Sequence, residues 1–168
     1  MPASIKTLVR FIDAFNYRIG RIAMYLLFVM MGILLWSSFS KTFLLPSLWT
    51  LEMAQFTLTA YYLLGGPYSM QMGEHVRMDL FYGSWSERPK AWVDAFTILF
   101  LMFYLAVLLY GGFESTSYAL QYSERSPTAW RPYMSPIKIV MVFGILLMLL
   151  QALSAFFKDV AKLRGEEL

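Results

Sequence analysis

Apolar residues run along the chain in four long segments, at about residues 22–45, 49–73, 92–113 and 136–157, separated by short polar clusters. As a helix, each is long enough to cross the roughly 30 Å of hydrocarbon in a bilayer. The second segment (WTLEMAQFTLTAYYLLGGPYSMQMG) differs from the others. Glu52, Gln55, Thr59, Tyr62, Gly66, Ser69 and Gly73 recur in it at alternating steps of three and four, with Trp49 three residues before the first. That spacing places them on one helical stripe, while Leu51, Phe56, Leu58, Leu63 and Leu64 fall largely elsewhere. Hydrocarbon offers a polar stripe no hydrogen-bond partners, so the pattern predicts that this face meets protein. Pro67, beside Gly65 and Gly66, is placed to bend this helix or end its regular part.

Residues 3–21 carry Ile5, Leu8, Ile12, Phe15 and Ile19 at helical spacing, with Lys6, Arg10, Asp13 and Arg21 mainly on other faces. This predicts either an interfacial amphipathic helix, its basic residues toward anionic lipid, or a short tail of helical propensity. Pro46 ends the first span, and the few residues before the second require antiparallel neighbours. Residues 74–91 form a polar loop in which Val76, Leu80, Phe81 and Trp85 are suited to the membrane surface. Gly144, Gln151 and Ser154 fall on or near one face of the last span. The expected fold is an all-α membrane protein with four transmembrane helices in a single membrane domain, 1–168.

Composition agrees with this reading: 58% of residues are hydrophobic and only 15% charged, against about 25% charged in a soluble domain. If the N-terminus is inside, the inner segments hold ten Lys and Arg and the outer segments four. That asymmetry predicts a multi-pass membrane protein with both termini cytoplasmic. The net charge of +3 lies beside apolar spans and forms no stripe, so nucleic acid is not an expected partner; membrane lipids are. No secretory signal peptide is expected, because no small-residue cleavage pattern follows the first apolar run.

The chemistry available is sparse. Without cysteine, disulfides, thiolate catalysis and iron–sulfur clusters are excluded, and His75 is the single histidine, too few for a bis-histidine haem. No cofactor or metal is expected. Glu52 lies near one end of the second span and is open to three roles: a proton relay, a contact to another helix, or a carboxylate snorkelling to the interface. His75, Arg77 and Asp79 can orient the following loop by mutual hydrogen bonds, or simply be solvated. In the outer connection, Ser126-Pro127-Thr128-Ala129-Trp130-Arg131-Pro132-Tyr133 combines two fixed φ angles with residue types that anchor interfaces. Trp130, Arg131 and Tyr133 therefore suit docking to an external partner, or the aromatic belt common to membrane proteins. Nothing in the pattern points to an enzyme.

Trp49-x-x-Glu52, Gly65-Gly66, Glu74-His75-Val76-Arg77-Met78-Asp79-Leu80 and the outer Ser126–Tyr133 stretch, in this order within four spans, resemble the small DctQ-like integral-membrane subunit of tripartite ATP-independent periplasmic (TRAP) transporters. Leu51 and Gln55 stand where relatives often carry an acidic and a basic residue. The resemblance implies a scaffold for a large membrane subunit that holds the substrate and Na⁺ sites, with a periplasmic substrate-binding protein as third component. It further implies import of organic anions such as carboxylates or keto acids. Trp49, Glu52, Gln55, Thr59, Tyr62, Gly66 and Ser69 would then form the large-subunit interface. Two competing readings are a compact, self-sufficient proton-coupled transporter using Glu52, and a membrane anchor for a respiratory enzyme.

Overall fold

The computed structural model describes residues 3–73 and 87–164. Four helices cover most of them: α1 (Ala3–Phe43), α2 (Thr50–Met72), α3 (Glu87–Gln121) and α4 (Ser135–Arg164). α1 pairs with α2 and α3 with α4; α2 and α1 then pack on α4, which is the helix in contact with all the others. Much of the loop at 74–91, with His75, Arg77 and Asp79, lies outside the described residues.

Segments 3–21 and 22–45, expected as two elements, run as one helix ending at Phe43. The physical reason is that no proline interrupts the chain between residue 3 and Pro46, and a lone glycine does not stop a helix of this length. At 41 residues α1 is about 61 Å long, roughly twice the hydrocarbon thickness. Its buried stripe also departs from expectation. Val9, Ile12, Asn16, Gly20 and Ala23 are buried, followed by Ser37 and Ser40, whereas Leu8 and Phe15 are exposed. In a bilayer, large apolar side chains lose nothing by facing outward, and helices approach through small and polar residues.

α2 continues through Pro67 to Met72 and closes on Gly73, whose positive φ of 73° lets its N–H reach the Met70 carbonyl at 3.2 Å. Pro67 has no N–H, so the Leu63 carbonyl lacks its usual intrahelical donor. Gly144 of α4 packs against that spot: a Cβ there would lie 2.8 Å from Leu63 Cβ and 3.0 Å from its carbonyl oxygen. α1 approaches α2 still more closely at Gly20, where a Cβ would stand 2.3 Å from Tyr68 Cβ. Gly66 makes no such close approach within this chain: a Cβ there would meet only Met148 Sδ at 3.7 Å, an ordinary contact.

α3 packs on α4 through a seam repeating every seven residues, Ile98, Leu105, Gly112 and Ala119. The central cluster is Leu105 with Ile145 and Ala152, surrounded by methionine and leucine side chains including Met70 and Met148. Among the described residues three helices are long and apolar enough to cross a membrane, within 5–43, 92–121 and 135–163. α2 is long enough, at about 35 Å, but its polar content keeps it out of that group.

Candidate functional site

The polar side chains inside the bundle gather at its two ends. At the lower end, where α1 starts, Asp13 reaches α4. Its Oδ1 accepts from Ser154 Oγ at 2.8 Å and Gln151 Nε2 at 3.1 Å, and its Oδ2 lies 2.6 Å from Lys158 Nζ. One turn further along α1, buried Asn16 donates to Gln151 Oε1 at 2.7 Å. Gln71 of α2 donates to the Asp13 backbone carbonyl at 3.3 Å, so three helices meet at this aspartate. Gln151 and Ser154 share the face that their spacing predicts. Asp13 and Asn16 were not singled out by sequence reasoning, yet a signal existed: Asp13, Asn16, Gly20 and Ala23 are polar or small at steps of three and four in an otherwise apolar helix.

At the upper end a hydroxyl cluster joins α1 to α2. Thr50 Oγ1 lies 3.0 Å from Ser37 Oγ and 3.1 Å from the Ser47 carbonyl, and Ser40 Oγ donates to the Leu45 carbonyl at 2.7 Å. Glu52 follows in the first turn of α2, where the helix N-terminus favours a negative side chain. It is only 7% exposed, and its Oε2 has no hydrogen-bond partner among the described residues.

The predicted stripe of α2 is therefore not one surface within this chain. Glu52 is buried and Thr59, Gly66 and Ser69 are half-buried, while Trp49, Gln55, Tyr62 and Gly73 are exposed, Tyr62 by 67%. The face turned to α1 and α4 is carried instead by Thr50, Ala54, Thr57 and Pro67 with Glu52. Gln55 and Tyr62 make no side-chain hydrogen bond to another described residue.

The outer loop is a fixed structure. Arg125 and Tyr133 face each other as an isolated antiparallel bridge, flanked by backbone bonds from Ser126 N to Pro132 O and from Met134 N to Glu124 O, each 3.0 Å. Arg125 donates to the Tyr133 hydroxyl and its guanidinium carbon sits 4.3 Å from that ring's centroid. Glu124 is ion-paired with Lys138 of α4, and Ser135 Oγ donates to the Ala119 carbonyl at 3.3 Å, tying the loop to both helices. Trp130 and Arg131 stand exposed at the tip, Arg131 with a positive φ of 51°. Arg125→Ala removes a cation–π contact worth about 0.5–1 kcal/mol at an exposed site. The expected result is faster limited proteolysis between residues 122 and 134 with an unchanged melting temperature. Unaltered cleavage would mean that the backbone bonds hold the loop unaided.

A family model described as "Tripartite ATP-independent periplasmic transporters, DctQ component" matches residues 19–162, most of the chain. The matched stretch takes in Gly20, all of α2, the outer loop and Lys158, and leaves Asp13 and Asn16 outside. No curated protein and no solved structure matches the chain.

Proposed function

The chain belongs to the DctQ component family of tripartite ATP-independent periplasmic transporters, and from that premise we propose that it acts as a fixed, non-catalytic scaffold for the large membrane subunit. The family is a transporter component rather than an enzyme family, working with a large membrane subunit and a binding protein. The observation that carries the scaffold reading is the use made of buried polar groups. Asp13, Asn16, Gln151, Ser154 and Lys158 tie α1 to α4, and Ser37 and Thr50 tie α1 to α2, so these groups lock helices together.

In this reading α2 is the fourth crossing, and both termini lie in the cytoplasm on the side richer in Lys and Arg. Gln55 and Tyr62, polar and exposed on a helix at membrane depth, supply the face for the large subunit, together with Trp49. Glu52 acts from inside the chain, being too buried for direct pairing across that face. Trp130 and Arg131, on their stapled loop, help receive the periplasmic binding protein, and Tyr133 holds the loop's shape. The complex imports organic anions of the carboxylate or keto-acid class, driven by Na⁺ bound in the large subunit.

Co-expression with the large subunit, followed by purification in mild detergent, tests this. The wild-type pair should co-elute, and Gln55→Leu combined with Tyr62→Leu should reduce recovery about tenfold, the loss of one or two membrane hydrogen bonds. Failure of the wild-type chain to retain any large subunit would overturn the scaffold. So would substrate uptake by this chain alone in liposomes, abolished by Glu52→Gln.

A further inference from the structure

We propose that the middle of α1 seats the headgroup of an anionic phospholipid, with Arg21 and Arg18 as its ligands. Because Gly20 has no side chain, Tyr68 of α2 packs directly on α1 there. The Tyr68 ring stands 5.5 Å from that of Tyr17, and the guanidinium carbon of Arg21 lies 5.7 Å from the Tyr17 ring centroid. Arg21 is thus held by a column of two aromatic rings anchored in a second helix.

The depth is that of a lipid phosphate. Immediately beyond Arg21, Ile22, Tyr25 and Phe28 open an exposed apolar face that continues to Phe43, about 33 Å of helix and close to the hydrocarbon thickness. On the other side of Arg21, the stacked rings of Phe11 and Phe15 stay exposed, with centroids 6.2 Å apart, beside Arg10 and Arg18. No carboxylate pairs with Arg10, Arg18 or Arg21 among the described residues, whereas Lys158, nearer the start of α1, is committed to Asp13. A phosphodiester accepts the forked N–H donors of guanidinium well, and a lipid without a cationic headgroup leaves its full charge to them. The site therefore selects phosphatidylglycerol over phosphatidylcholine.

The inference goes beyond the scaffold reading and does not depend on it: loss of co-purification would remove the scaffold and leave the lipid seat standing. The test is a lipid titration of the purified full chain in mild detergent, followed by retention in native mass spectrometry and by thermal shift. Phosphatidylglycerol should be retained and raise the melting temperature; phosphatidylcholine should not. Arg18→Gln with Arg21→Gln, both exposed, should leave the fold intact and weaken phosphatidylglycerol binding about tenfold. Tyr17→Leu, which keeps every charge but frees Arg21, should give an intermediate loss. Lys41→Gln at the opposite end should give none. Equal retention of the two lipids, an unaffected double variant, or the same thermal shift from inorganic phosphate alone would each overturn the proposal.

Discussion

Gly20→Ala should lower the melting temperature of this protein by far more than any other single methyl added to its glycines in α1. The added carbon would sit 2.3 Å from Tyr68 Cβ, an atom fixed to the α2 backbone, so no side-chain rotation relieves the overlap and the helices must separate. Overpacking of this kind costs about 1–3 kcal/mol, and the helical preference of alanine over glycine returns about 1 kcal/mol at most. Gly20→Leu should abolish recovery of folded protein. The matched control is Gly32→Ala, where nothing lies within 4 Å of the new carbon and the helical gain stands alone. Melting curves in detergent that superimpose for Gly20→Ala and Gly32→Ala would show that α1 and α2 do not meet here.

Replacing Asp13 should be the most damaging polar substitution. Asp13→Leu strands Lys158, Ser154 and Gln151 together, since all three donate to one carboxylate. Leaving a buried donor unsatisfied costs about 1–3 kcal/mol, and breaking a buried ion pair from one side about 3–5 kcal/mol. The side chains here are 19% exposed for Asp13 and 36% for Lys158, so water screens the pair and a loss of about 2–4 kcal/mol is expected. Lys158→Met should cost less, about 1–2 kcal/mol, because Ser154 and Gln151 still satisfy the carboxylate. The double variant Asp13→Leu/Lys158→Met should be less destabilised than the sum of the singles, as expected for partners. Strict additivity in thermal or denaturant unfolding would mean that the two side chains do not act on each other.

Why the Asp13 junction was hidden, when Gln151 and Ser154 were not, follows from how helices pack in lipid. On α4 the polar residues stand out against leucine and methionine, and their spacing alone puts them on one face. On the first turns of α1, polar and apolar residues alternate densely enough to support two stripes. The apolar one, Ile5 to Ile19, is the stripe a soluble protein would bury, but here only Ile12 of it is buried while Leu8 and Phe15 are left exposed, and Asn16 with Gly20 turns inward. The long apolar segments, the hairpin at Pro46 and the rigid outer loop were legible because each rests on a local property: length, a proline, a run of turn residues. Glycine contacts are not local. Gly20 and Gly66 look alike in one dimension, and only the neighbouring backbone decides which of them lets helices of this chain close on each other. The candidate site was half legible for the same reason. Spacing placed Glu52, Gln55 and Tyr62 on one side of α2, but which part of that side the chain itself covers depends on where α1 and α4 lie.

Since α4 touches every other helix and is made after the other three, assembly has an imposed order. α1 and α2 can pair as soon as the turn at Pro46 has emerged. α3, whose seam of Ile98, Leu105, Gly112 and Ala119 fits α4, must wait in the bilayer without its mate. Thr116, 3.3 Å from the Lys138 carbonyl, also donates to the Gly112 carbonyl of its own helix at 2.8 Å, an acceptor that does not require α4. A chain cut short before residue 135 would leave a finished hairpin and a stranded third helix, a substrate for membrane quality control.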